Sequence, residues 1–251
     1  MTVSDAVPAL TVVDGWKSFG HVTALQGVSL TVNHAEVLAL IGDNGAGKST
    51  MVKVLAGVYG LDAGEYRIND EPVSRAEPRL VRNRGVSTVF QDLAIVETLD
   101  IAANMFLGEP IRFARVFAHR RRMIDESAAT LRDLKIRVPS VRVPAGELSG
   151  GQRQGVAIAR AVRQDNSIIL MDEPTAALGV RETAQIGDII RELKARGKAV
   201  ILVSHDLEFV FEVADRLQVL RLGRVQGVRR VGETDRREVV SLITGAVNAD
   251  A

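Results

Sequence analysis

Cysteine is missing from this 251-residue chain, and aromatics are sparse, with one Trp, two Tyr and seven Phe. Without thiols there are no disulfides and no thiolate metal sites, and a reducing compartment is permitted. An excess of charge of either sign is missing too: 32 Lys and Arg stand against 31 Asp and Glu, a net charge of +1. A nucleic-acid-binding domain ordinarily carries a strong basic excess or stripe, so nucleic acid is not an expected partner. No run reaches the roughly 18 apolar residues of a spanning helix, and residues 1–13 lack the basic start and sustained apolar core of a signal peptide. Any membrane role is therefore expected to work through another subunit. What is present is 46% hydrophobic residues without internal repeats or low-complexity tracts, enough to bury a large core in one α/β domain with an inserted subdomain.

The most informative string follows a short apolar run of buried-strand type, Val37 to Ile41. It reads Gly42-Asp43-Asn44-Gly45-Ala46-Gly47-Lys48-Ser49, a G-x-x-x-x-G-K-[ST] phosphate-binding loop, with a helix pattern from Thr50 to Ala56 directly behind it. Glycines let backbone N–H groups turn inward around phosphate oxygens, and the helix N-terminus adds partial positive charge. Lys48 is expected on the β and γ phosphates, and the Ser49 hydroxyl on magnesium.

A second strand-like run, Ser167 to Met171, ends on Asp172-Glu173-Pro174. At the carboxyl end of a parallel strand, an Asp can bind magnesium and an adjacent Glu can polarise the attacking water. Together with the phosphate loop, these acids indicate nucleoside triphosphate hydrolysis. A third element lies between them: Leu148-Ser149-Gly150-Gly151-Gln152, where Ser149 can cap a helix with apolar positions at Val156, Ile158, Ala159 and Val162. Its hydroxyl, free N–H groups and glycines form a second anion site, so one chain holds two sites for one nucleotide's phosphates.

With these three elements the chain resembles the nucleotide-binding subunits of ATP-binding-cassette (ABC) transporters, in which Leu148 to Gln152 matches the signature loop. The resemblance covers residues 10–246. It implies ATP and Mg2+ as ligands, and a head-to-tail dimer in which the signature loop of one copy, Ser149, Gly150, Gly151 and Gln152, completes the ATP site built on Gly42, Asn44, Gly45, Ala46, Gly47, Lys48, Ser49 and Thr50 of the other. By the same resemblance Asp172, Ser49 and Gln91 are magnesium ligands, Glu173, His205 and Gln91 are catalytic, and Phe19 stacks on adenine. Gly179 stands where many ABC ATPases carry an aspartate after the Thr175-Ala176-Ala177-Leu178 loop, which puts the communication between the two sites in question.

The implied fold is α/β: a phosphate-loop core with a mainly parallel sheet, an N-terminal antiparallel β subdomain and an inserted α-helical subdomain. One nucleotide-binding domain is expected over residues 1–251, with the helical subdomain over residues 92–155 and a short C-terminal extension over residues 225–251. Alternating strands are read at Leu10–Val13 and Val28–Val32, a strand and hairpin turn over Gly64–Glu71, a strand from Gly85 to Phe90, and helix from Asp92 to Arg142. Further strings, including Asn104 to Glu109, Thr175 to Glu182 and Leu242 to Ala246, resemble bacterial monosaccharide importers, most of all the single-domain ATPase of fructose importers. Gly179 is usual there. The implied partners are a second copy, integral membrane permease subunits and, indirectly, a periplasmic sugar-binding protein, with the chain at the cytoplasmic face of the membrane. A soluble non-transport ABC ATPase and a cassette for a non-sugar cargo are the alternatives. The basic cluster of Arg112, Arg115, His119, Arg120, Arg121 and Arg122 reads as a solvated helix face, with contact to lipid headgroups or to the permease as the alternative.

Overall fold

In the computed structural model of the chain, residues 7–113 and 117–246 are described; for 112, 113 and 117 this extends to the backbone only. Two long strands, β1 (Leu10–Phe19) and β2 (Val22–Val32), pair antiparallel and lead into β3 (Val37–Gly42), the phosphate loop and α1 (Lys48–Leu55). β4 (Ala63–Ile68) and β5 (Glu71–Pro72) follow, joined by Asn69 and Asp70, both at positive φ, the geometry a two-residue hairpin turn demands. After α2 (Pro78–Asn83) and β6 (Val86–Val89) come α3 (Ile101–Met105), the short pair β7 (Arg112–Phe113) and β8 (Phe117–Ala118), α4 (Arg120–Asp133) and α5 (Gly150–Val162). The last third alternates: β9 (Ile168–Asp172), α6 (Val180–Ala195), β10 (Ala199–Val203), α7 (Leu207–Val213), β11 (Arg216–Arg221), β12 (Arg224–Arg230) and α8 (Arg236–Thr244).

Six strands form the central sheet in the order β12-β11-β3-β10-β9-β6, parallel except for the edge pair β11 and β12. Sheets of this kind are covered on both faces, which is why their strands read as unbroken apolar runs. The alternation of β3 shows it: Val37, Ala39 and Ile41 join one core with α5, α6 and α7, whereas Leu38 and Leu40 join another with β1, β2 and α1. The second sheet, β2-β1-β4-β5, supplies the lid of that second core through Leu10, Val12, Leu25, Val28 and Leu30.

The helical pattern read from Asp92 to about Arg142 forms as two separate helices rather than one. Helix is confined to α3 and α4, with the β7–β8 pair between them beyond Gly108-Glu109-Pro110. Residues 92–99 are irregular because the buried Asn104 side chain replaces helical partners: its Oδ1 accepts from Val96 N at 2.8 Å, and its Nδ2 donates to the carbonyls of Val96, Leu99 and Asp100. Of the basic cluster, Arg115 and the Arg112 side chain lie outside the described residues. His119 caps α4 by accepting from Arg122 N, Arg120 pairs with Asp100, and Arg122 pairs with Glu126.

Candidate functional site

Parallel pairing brings distant motifs to one edge. Leu40 of β3, Val203 of β10 and Asp172 of β9 share a row, and Val89 of β6 pairs with Met171. The phosphate loop, the His205 segment, Asp172-Glu173 and Gln91 therefore all leave the sheet at its carboxyl edge, where open α/β sheets bind ligands.

Two glycines of the phosphate loop are forced by close approach. Gly42 has φ +152, and a Cβ there would lie 2.1 Å from the Leu220 carbonyl oxygen; Gly47 has φ +104, with the Ala24 carbonyl at 2.6 Å. Gly45, at φ +78, faces open space instead. Gly47 precedes α1 without a capping side chain, so the first-turn N–H groups are left for a ligand. The Lys48 ammonium turns back onto the loop, donating to the carbonyls of Gly42 (2.7 Å) and Asp43 (2.9 Å). In front of the loop opens a cleft of 460 Å³ whose opposite wall is Val22, Thr23 and Ala24 of β2, with Gln26 and Leu222. Ser49 and Thr50 line it as well, the Ser49 side chain exposed.

The acids stand behind the loop. Asp172 is buried, and that burial, reinforced by Glu173, pushes its carboxyl above the ordinary value; Lys48 and Lys53 oppose the rise. Burial lowers the Lys48 ammonium in turn, against the opposing pull of Glu173, Asp43 and Asp172. Glu173 takes φ +50 and donates its N–H to the Val203 carbonyl at 2.9 Å, which swings the side chain out of the strand line. Its Oε2 meets His205 Nδ1 at 2.8 Å. The contact engages Nδ1 and leaves Nε2 as the other polar atom of an exposed ring.

The signature segment forms a complete capping box. Ser149 Oγ accepts from Gln152 N at 3.3 Å, Gln152 Oε1 accepts from Ser149 N at 3.0 Å, and Gln152 Nε2 donates to the Arg137 carbonyl. Gln152 is thereby committed to holding the loop. Ser149 and Gly151 line a different cleft, between the C-terminal end of α4 and α6, and none of Ser149 to Gln152 lines the cleft before the phosphate loop. The two segments thus line separate clefts of the chain.

Gln91 stands exposed two residues past the end of β6. Phe19 ends β1 outside the lining of the phosphate-loop cleft, packed edge-to-face on Tyr59 at 5.0 Å with Lys17 Nζ 5.5 Å over its ring. Sequence reasoning missed the Val22–Ala24 wall, Lys53 and Arg160. The first is placed by the β2 pairing rather than by any local motif. Arg160 of α5 donates to the carbonyls of Leu93 and Ala94, just beyond Gln91, at 2.5 and 2.9 Å.

The chain matches the ABC transporter family model over residues 25–176. It is 41% identical over 235 residues to the xylose/arabinose import ATP-binding protein XylG of Sulfolobus acidocaldarius, covering 94% of this chain and 93% of that one. It is 40% identical to the fructose import ATP-binding protein FrcA of Rhizobium meliloti, covering 95% of each. It is also 40% identical to the ribose import ATP-binding protein RbsA of Geobacillus kaustophilus, covering 91% of this chain but 46% of that protein. Among solved structures, the ADP conformation of MJ1267, an ATP-binding cassette of an ABC transporter, superposes with a TM-score of 0.81 at 28% identity over 94% of this chain and 95% of its own. A dimeric post-hydrolysis state of the cassette MJ0796 bound to ADP and Pi gives 0.76 at 26% identity, covering 88% and 98%. With its phosphate loop, paired acids and signature loop on that fold, the chain belongs to the ABC transporter family.

Proposed function

We propose that this chain is the ATP-binding and ATP-hydrolysing subunit that energises import of a monosaccharide through a membrane permease. The observation that carries the reading is the meeting of Lys48, Asp172, Glu173 and His205 at one sheet edge while Ser149 and Gly151 open on another cleft. Such a chain has half of what it needs for each nucleotide, and a second copy arranged head to tail supplies the rest.

Magnesium fits the donor set. A hydroxyl at Ser49 and a buried carboxylate at Asp172, crowded by Glu173, make a hard-oxygen donor set. When bound there, the ion would neutralise phosphate charge, with Gln91 reaching it. The chain's own residues do the rest. The backbone of Asn44 to Thr50 and the Lys48 ammonium hold the β and γ phosphates; Lys48 leaves its loop carbonyls to do so. Glu173 accepts a proton from the attacking water, and His205, oriented by Glu173, faces the γ-phosphate through Nε2. Gly45, Ala46 and Gly47 contribute N–H groups, and Ser149, Gly150 and Gly151 of the second copy close on the γ-phosphate. Catalysis is positioning and electrostatics. Phe19 supplies an aromatic face for the adenine.

A second groove, lined by Phe90, Leu107, Arg160 and Arg163 between α2 and α5, lies beside Gln91 and suits a permease segment. No helix among the described residues is long and apolar enough to cross a membrane. In this reading the chain works at the cytoplasmic face against a permease fed by an extracytoplasmic sugar-binding protein. The relatives are named for xylose/arabinose, fructose and ribose, and fructose is the first sugar to try. The test is recovery of tagged Glu173→Gln with ATP from gently solubilised host membranes. A polytopic partner and a binding protein that takes up a monosaccharide are expected; soluble partners alone, with controls showing that the complex survives detergent, would sink the transport reading.

A further inference from the structure

Gly179 opens α6 as its N-cap with extended backbone and no capping side chain. The place such a side chain would fill is nevertheless taken. Glu182, three residues on, curls back so that its Oε2 lies 2.8 Å from where a Cβ on Gly179 would stand. The stem of the same residue crosses to the signature loop, with Cγ 2.4 Å and Cβ 2.9 Å from the Cβ position of Gly151. A neighbouring contact runs parallel: Leu178 Cδ2 lies 3.7 Å from the Cβ position of Gly150. Gly151 is thus kept bare on the side where α6 presses against it, and Gly150 is in van der Waals reach of the Glu173–Gly179 loop. The Glu182 carboxylate, half-buried, makes no hydrogen bond or ion pair among the described residues.

We infer that Glu182 is a positioning residue for hydrolysis: it locks the start of the signature helix to the loop that carries Glu173, and supplies from α6 the carboxylate that Gly179 does not. The inference deepens the ATPase reading and rests on it. Because one side chain occupies the space before both Gly151 and Gly179, the signature loop offered to a second copy and the catalytic loop of the same chain move together. A carboxylate without a partner, set between those two loops, is available to donors that the second copy brings.

The test moves the carboxylate from one position to the other. Steady-state ATPase is measured for the wild type, Glu182→Gln, Glu182→Ala, Gly179→Asp and the double variant Gly179→Asp/Glu182→Ala, with thermal melting to confirm folding. Nucleotide-dependent dimerisation is followed by light scattering for each variant. Glu182→Gln keeps the packing against Gly151 and is expected to leave KM within about twofold while lowering kcat about tenfold, the size of coupling that contacting residues ordinarily show. Gly179→Asp alone sets a second carboxylate on the first and is impaired in the same way. The double variant is expected to recover kcat and dimerisation to within about threefold of wild type, far above the product of the single effects. Unchanged kcat in Glu182→Gln, or a double variant no better than that product, overturns the inference. A wild type without turnover overturns the ATPase reading itself, and Glu173→Gln in the same assay marks the floor.

Discussion

His205 presents Nδ1 to Glu173 Oε2 at 2.8 Å, across the ends of adjacent parallel strands. The contact depends on two backbone features: the positive φ of Glu173 and its N–H bond to the Val203 carbonyl. Residues joined this way act as a unit, so their removals should not add. Glu173→Gln is expected to bind ATP normally and to lose about 10²–10⁴ in kcat, the range of general-base catalysis. His205→Ala should lose a similar factor, and the double variant no more than about tenfold beyond the worse single one. Single-turnover hydrolysis with ATP binding measured in parallel checks this; multiplicative losses would show two independent roles.

Asp172 is burdened by burial and by Glu173, and its carboxyl sits above its ordinary value of 3.8. The folded chain then holds a proton that the unfolded chain gives up, so this group's contribution to stability falls as pH rises through the window above 3.8. Asp172→Asn removes that slope. In the absence of nucleotide the variant should melt above the wild type, with a gap that widens as pH rises above 3.8. Each 1 kcal/mol relieved is worth about 2–4 °C for a chain of this size. The same variant should lose the extra stabilisation that Mg2+ adds to ATP. Melting curves across pH with and without MgATP decide both halves, and a gap constant with pH would remove the burden from Asp172.

The grouping of the phosphate loop with Asp172 and Glu173 at one sheet edge was legible because these residues sit in contiguous strings. Gly42 to Thr50 and Asp172-Glu173 each follow a strand whose residues face both cores, and a parallel sheet leaves such motifs at one edge. The Val22–Ala24 wall was not legible. It belongs to a strand whose pairing is shifted repeatedly between Val12 and Ser18, and no local string reports a bulge-dependent register. The irregular stretch over residues 92–99, before the first of the two helices, was not legible for another reason. Apolar spacing says nothing about a side chain such as Asn104 that satisfies backbone groups in place of a helix. Glu182 was hidden likewise: a missing side chain at Gly179 is visible in sequence, but not the neighbour that fills its place.

Gly42 and Gly45 both have positive φ, yet their surroundings differ. A methyl at Gly42 meets the Leu220 carbonyl at 2.1 Å, while at Gly45 it meets nothing within 4 Å. Gly45→Ala should cost about 1–2 kcal/mol, the left-handed backbone penalty alone. Gly42→Ala adds a clash with backbone that cannot rotate away, so a loss above about 4 kcal/mol is expected. Urea unfolding midpoints of the nucleotide-free variants give the comparison; equal losses would mean that the β3–β11 contact yields freely.

Arg160 lies at the far end of the signature helix, and its guanidinium has no carboxylate partner among the described residues. Burial holds it below the usual arginine value, and it is satisfied by the carbonyls of Leu93 and Ala94. Those two residues follow Gln91 by two and three positions, so α5 carries the Ser149–Gln152 loop at one end and anchors the Gln91 segment near the other. Arg160→Met keeps the stem and removes both donors, which should cost about 1–3 kcal/mol for the carbonyls left unmatched. If the clasp also places Gln91, kcat should fall several-fold with ATP affinity unchanged, whereas Arg160→Lys, able to reach one carbonyl, should retain most of it. Steady-state kinetics beside equilibrium nucleotide binding separate the two effects. A variant that loses stability but keeps kcat would reduce Arg160 to a structural tie between α5 and the loop.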